Sequence, residues 1–203
     1  MKMTMSQTLI AAALASASAL TFTHAAASGA EADTQSRVEA ARAVTGDFLK
    51  QLGGTLQKEM QAGGPTAAIK VCQQVAPSIA NDISLEKGWK VTRVGTRVRN
   101  PMLGLPDAWE QRVLKDFEKR AAQGQKFETM SHYEVVEEPA GKYLRFMKAI
   151  GTAPKCLACH GSAEQIPQPI HTQLQSLYPH DRAINYKVGD LRGAVSIKQP
   201  LDD

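Results

Sequence analysis

The chain has 203 residues, 43% of them hydrophobic and 22% charged, with a formal net charge of +4. This is the composition of a folded globular protein, and the length suits one domain with room for a helical extension. Losing the leader described next would remove one of the 24 Lys and Arg, leaving 23 against 20 acids, or +3. That excess is too slight, and too evenly scattered among acids, to argue for nucleic acid.

Residues 1–26 have the three-part layout of a secretory signal. Lys2 gives a positive start, the 14 residues from Leu9 to Phe22 carry no charge, and small residues follow at Ala25, Ala26 and Ala27. The apolar run falls short of the roughly 20 residues that a membrane-spanning helix needs. Cleavage is expected between Ala25 and Ala30. No later segment is apolar enough to span, so residues 27–203 are expected as one soluble domain in the periplasm.

Val38, Ala41, Val44, Phe48 and Leu52 recur at three- and four-residue steps and predict a long helix over 34–61, with Gly53-Gly54 as its weak point. Gly63-Gly64-Pro65 predicts a turn, and Pro65 suits a helix start. A second helix over 65–83 places Ala68, Cys72, Val75, Ala76 and Ile79 on one face, bent or restarted at Pro77. Trp89 to Val94 alternates like a strand. Asn100-Pro101 and Gly104/Pro106 mark a loop, and Pro106 to Gln123 reads as a helix burying Trp109, Val113, Leu114 and Phe117. Tyr133–Val136 and Tyr143–Ile150 form two strands across an Ala140-Gly141 turn. Residues 151–161 read as a loop, Ile170–Leu177 as a short helix, and Gly193–Ile197 as a last strand. Helices come first and hairpin-like strands later, without βαβ alternation, so the expected class is α+β with an antiparallel sheet.

Cys156-Leu157-Ala158-Cys159-His160 is the pattern by which c-type haem is attached. Two thiols must each reach one vinyl group of the same porphyrin, and two intervening residues bridge that separation. The next residue then lies under the ring, where an imidazole nitrogen can bind iron. The secretory leader agrees, since such thioethers are made outside the bacterial cytoplasm. Other uses of this spacing fit less well. Disulfide exchange calls for a thioredoxin-like βαβ frame, structural zinc for a second close ligand pair, and a structural disulfide at this spacing is sterically awkward.

Three cysteines in an exported chain leave Cys72 to explain. The sixth iron position has as candidates Cys72, Met60, Met102, Met130, Met147, His132, His171 and His180, or no protein ligand. On pattern alone, Cys72 is as well explained as a small core hydrophobe. The oxidising compartment favours a use for the thiol, because iron would protect it. His171 and His180 lie in a polar, Pro-rich stretch, and Met147 in a strand. Arg93, Arg97 and Arg99 are candidate partners for haem propionates, since a guanidinium binds a carboxylate bidentately; a solvated strand edge is the plainer reading. Asp190 and Arg192 suit the last turn, and Tyr178, Tyr186 and Trp109 suit the core.

Several segments together resemble a PAS-like family of periplasmic c-haem proteins, which includes a cyanobacterial thylakoid cytochrome and sensor input domains. They are Ala67 to Cys72, Arg99-Asn100-Pro101 before Pro106 to Glu110, Cys156 to Gly161, and Tyr178 to Ala183 running into Gly189 to Ala194. The likeness covers roughly 35–200. It implies a PAS-like antiparallel sheet with flanking helices around one covalent haem c, with iron held by His160 and Cys72. No transmitter follows Asp203, so signalling would act through a separate partner. The first expectation is a low-potential redox or electron-transfer protein with a periplasmic redox partner. A haem-based redox or gas sensor comes second. Third is a His/Cys-haem enzyme acting on sulfur oxyanions, for which no catalytic base stands out.

Overall fold

The computed structural model describes residues 19–201, so the expected leader at 1–26 lies largely outside the described residues. The chain forms two compact units, one ending at Ser36 and the other running from Arg37 to Asp203. The site and its supporting elements lie in the second. Among the described residues no helix is long and apolar enough to cross a membrane.

Four strands form one sheet: β1 (Lys90–Gly95), β2 (Ser131–Glu138), β3 (Gly141–Gly151) and β4 (Leu191–Leu201). Their order is β1-β4-β3-β2 and every neighbouring pair is antiparallel, which is the α+β class read from the sequence. The last strand in sequence therefore sits at the centre, against the first. Successive side chains point to opposite faces of a strand, and both faces are covered. Val91, Leu144, Phe146, Val195 and Ile197 pack against Val38, Ala41, Val44, Phe48 and Leu52 of α1 (Ala19–Lys70). On the other face, Val94, Met147, Ala149 and Ala194 meet Trp109, Val113, Leu114 and Phe117 of α4 (Ala108–Ala122).

The long helix exceeds its predicted 34–61 span and runs through Gly53-Gly54 unbroken. Its break falls at Gly64, whose φ of 68° and ψ of −165° suit a residue without Cβ, and Pro65 follows. The second helix reaches Lys87 as α2 (Ala76–Lys87), preceded by a π-helical turn at Val71–Val75. Pro77 is the physical reason. It has no N–H for the Gln73 carbonyl, and its ring would crowd that carbonyl. The turn widens instead, and the Ala76 N–H donates to Val71 O, one residue further back than in an α-helix. Cys72 lies inside this widened turn.

Asn100 and Asp107 organise the connection after β1. Asn100 Oδ1 accepts the Met102 N–H at 3.1 Å and starts the short helix α3 (Pro101–Gly104), where a plain loop was expected. Asp107 caps α4 reciprocally: Glu110 N–H donates to its carboxylate, and its own N–H donates to the Glu110 carboxylate, both at 2.8 Å. This capping box starts α4 two residues beyond the Pro106 expected from the sequence. The remaining helices are α5 (Leu157–His160) and α6 (Gln168–Leu177).

Arg145 is a buried cation that sequence pattern did not anticipate. It lies at 2.7 Å from Asp107, 3.3 Å from Glu110 and 3.5 Å from Glu138, with its guanidinium 4.4 Å from the Trp109 ring centroid. Glu110 is itself buried, so Arg145→Ala would strand a carboxylate in the core. The expected loss is about 3–5 kcal/mol in urea unfolding; a change under about 1 kcal/mol would show the network to be dispensable. Burial pushes the Asp107 carboxyl up, but the Arg145 guanidinium and the Glu110 and Trp109 amides hold it below the ordinary value on balance. A carboxyl depressed in the folded state stabilises above its unfolded value of about 4 and loses that contribution as pH falls through the folded one. Asp107→Asn should thus be less stable than wild type near neutral pH, with a shallower decline on acidification below about pH 4.

Candidate functional site

Between β3 and α6 the chain winds through a 3₁₀ turn (Pro154–Cys156) directly into α5, rather than forming the open loop expected there. Cys156 N–H donates to Ala153 O and Gly161 N–H to Leu157 O, both at 2.9 Å. Helical winding brings residues three apart to one side, so Cys156 and Cys159 share a face and His160 follows one step on. Gly161 closes the turn where no side chain fits, since a Cβ would lie 2.7 Å from Leu157 O. All three thiols of the chain are free and partly buried.

Residues 181–186 run alongside this motif as a strap. Tyr186 N–H donates to His160 O at 2.9 Å and Asn185 N–H to Gly161 O at 2.8 Å. Asn185 adopts a positive φ of 61°, a conformation asparagine tolerates better than most residues. His160 Nδ1 lies 2.6 Å from Ala183 O. A carbonyl only accepts, so Nδ1 carries the proton and Nε2 keeps its lone pair. Burial pushes the His160 pKa well below its ordinary value, and Arg192, Arg99 and Arg93 push it in the same direction. The imidazole is therefore neutral at physiological pH, as a metal ligand must be. The Tyr186 ring meets it edge-on, with centroids 6.1 Å apart.

The three arginines proposed from sequence have different environments. Arg97 stacks on Tyr186, 3.8 Å from the ring centroid, and bonds Asn185 O at 2.9 Å and Asp190 at 3.4 Å. Arg99 donates Nε to Asp181 at 2.9 Å, and Nη2 to Cys159 O at 2.5 Å and Ala183 O at 3.4 Å. Both members of the Arg99–Asp181 pair are about nine-tenths buried. The Arg93 side chain makes no hydrogen bond or ion pair among the described residues. It is partly buried, desolvation lowers its pKa, and it lies within electrostatic reach of Cys72 and Tyr178.

Cys72 also lies within electrostatic reach of Cys159, whose thiol is pushed up by burial, against Arg99 and with Cys72 and Cys156. An apolar cluster of Ile69, Ile166, Ile170, Leu174 and Tyr178 packs on Cys159 and joins the end of α1 to the motif. Cys72, Arg93, Arg99, Cys156, Cys159 and His160 thus converge, although the chain separates them by up to 88 residues between Cys72 and His160. Four other candidates for the sixth position have environments of their own. Met130 and Met147 are core residues under α4, Met102 is 86% exposed, and His132 stands beside Trp109 and Glu134. Asp181, Ala183 and Tyr186 are the site residues that sequence reasoning missed or gave to the core. The Asp-x-Ala turn, in which Asp181 accepts the Ala183 N–H at 2.7 Å, was the available signal.

Among the described residues no cluster of three or more His, Cys, Asp and Glu side chains could hold a metal ion alone. One neutral imidazole, two neighbouring free thiols and a partly buried arginine without a side-chain acceptor among the described residues suit a metal that brings other ligands and carboxylates of its own. The donor set fits a haem.

A family model, Tll0287-like, matches residues 7–200. The crystal structure of Tll0287, a cyanobacterial haem protein, is similar in fold, with a TM-score of 0.58. It is 27% identical in sequence, and the match covers 84% of this chain and 96% of that one. No curated protein matches. With 7–200 matched and the sheet, helices and motif in place, the chain belongs to the Tll0287-like family.

Proposed function

We propose that this protein is an exported monohaem c-type cytochrome working as a low-potential redox or electron-transfer protein. The observation that carries this reading is the 2.6 Å contact between His160 Nδ1 and Ala183 O, beside two free thiols. It leaves Nε2 as the one basic nitrogen of a neutral, partly buried imidazole. Cys156 and Cys159 would hold the porphyrin as thioethers, and His160 Nε2 would bind its iron. Haem supplies one-electron chemistry when bound. Cys72 would be the second protein ligand to the iron, as thiolate. Arg93, partly buried and with no side-chain acceptor among the described residues, is the arginine best placed to receive a propionate, whereas Arg99 is committed to Asp181 and two carbonyls. An anionic sulfur ligand favours ferric iron, hence the low potential. The family match and the haem protein of similar fold support the reading.

A second role, haem-based redox or gas sensing through a partner, would follow from Cys72, a free and partly buried thiol. Reduction weakens the hold of iron on an anion, so Cys72 would be the ligand released, opening a site for a small gas.

Expression in a host with c-haem maturation should give a protein heavier by one haem, and Cys156→Ala/Cys159→Ala should lose that mass. Wild type without the added mass would overturn the cytochrome reading. For Cys72, electron paramagnetic resonance should show low-spin thiolate signals in ferric wild type and none in Cys72→Ala. Cys72→Met should retain haem and raise the potential, because a neutral thioether replaces an anion. Thiolate signals that persist in Cys72→Ala would remove Cys72 from the iron. For sensing, carbon monoxide should shift the Soret band of reduced wild type; an unchanged band would leave electron transfer as the role.

A further inference from the structure

Ala183 O accepts from two donors of different kinds, His160 Nδ1 at 2.6 Å and Arg99 Nη2 at 3.4 Å. The same guanidinium holds Cys159 O at 2.5 Å, and its Nε is paired with Asp181 at 2.9 Å. Asp181 uses its other oxygen to accept the Ala183 N–H at 2.7 Å. Both charged groups of the pair are about nine-tenths buried, so solvent screens them little. The pair therefore brackets the residue whose carbonyl orients the imidazole, and it also grips the backbone of the residue preceding His160.

We infer that Arg99 and Asp181 are positioning residues that set the electron-donating power of His160 through the shared Ala183 carbonyl. This rests on the cytochrome reading above. A histidine that donates its second N–H to a strong acceptor becomes a better electron donor through its other nitrogen. The Arg99 N–H competes for the acceptor, and its positive charge draws electron density from the carbonyl. Arg99 thereby restrains the donor strength of Nε2 and favours the ferrous state. Asp181 opposes it, holding Arg99 by its Nε and cancelling part of its charge at a distance where the interior leaves charges poorly screened. The two residues form a balanced pair whose members push the iron in opposite directions.

The opposite signs separate this role from a structural one. Redox titration of the matured haem protein should give a lower potential for Arg99→Gln and a higher one for Asp181→Asn. Each shift should change the ferrous-to-ferric ratio at fixed ambient potential on the order of tenfold, about 59 mV for one electron. Arg99→Lys, which keeps the charge, should stay nearer to wild type than Arg99→Gln. A purely structural clamp predicts that both variants loosen His160 and move the potential the same way, and that result would overturn the inference. So would two unchanged potentials. Should Arg99→Gln fail to accumulate, Asp181→Asn decides alone: a rise supports the assignment, and a fall or no change overturns it. A wild type that carries no haem would instead defeat the cytochrome reading itself, a failure visible by mass before any titration.

Discussion

One hydrogen bond, from His160 Nδ1 to Ala183 O, turns a sequence motif into a site with a defined chemical state. A histidine at the end of a four-residue helical turn can otherwise rotate and present either nitrogen. The carbonyl 23 residues further on selects one tautomer and one orientation. Everything near it serves to hold that carbonyl in place. The Tyr186 and Asn185 amides fasten the strap to the motif backbone, and Arg99 spans the two chains of the site from a third.

The strand order explains how three distant stretches meet. Because β4 lies between β1 and β3, the segment entering β4 must pass the end of β1. Thr96 N–H donates to Arg192 O at 3.3 Å, and Thr96 Oγ1 donates to Leu191 O at 3.1 Å. The Tyr186 hydroxyl lies 2.9 Å from Thr96 Oγ1 and accepts the Arg97 N–H at 2.9 Å. The chain leaving β1 therefore carries Arg97 and Arg99 directly into the strap. Arg93, two residues before the end of that strand, lies on the face occupied by Val91 and so on the side of α1 and the π-helical turn. A central C-terminal strand is thus the architectural reason that arginines from 93–99 and the motif at 156–160 share one site.

Much of this could be read from the sequence, for identifiable reasons. The apolar spacing of Val38 to Leu52 and of Trp109 to Phe117 marked both packing helices, since helical periodicity over several turns has few alternatives. The Cys156 to His160 motif stood out because its reading depends on spacing and residue type alone. What escaped depends on contacts between distant residues. Arg145 looks like a strand surface residue until Asp107, Glu110 and Glu138 converge on it. Ala183 acts through its backbone, which no side-chain pattern reports. The π-helical turn was half visible: Pro77 signalled a disturbance, but whether the helix would bend, restart or widen depended on packing of Val71 against the sheet.

Charge gives the last constraint on what completes the site. Arg93, Arg99 and Arg192 all bear on His160, while Asp181 is the acid that, among the described residues, pairs with any of them. Arg192 donates to neutral partners, the Arg97 carbonyl at 3.2 Å and the Tyr186 hydroxyl at 3.5 Å. Burial lowers the pKa of both Arg93 and Arg192, the expected sign for cations drawn from water without full compensation. Uncompensated charge in a protein interior is costly, so an arrangement with more cations than anions calls for anions from elsewhere. A haem would bring two propionate carboxylates. Those groups would balance the arginines that the fold leaves in excess. On this view the basic residues around His160 are the counterpart of the cofactor's own charge, and a neutral ligand of similar size would leave the site less stable than haem does.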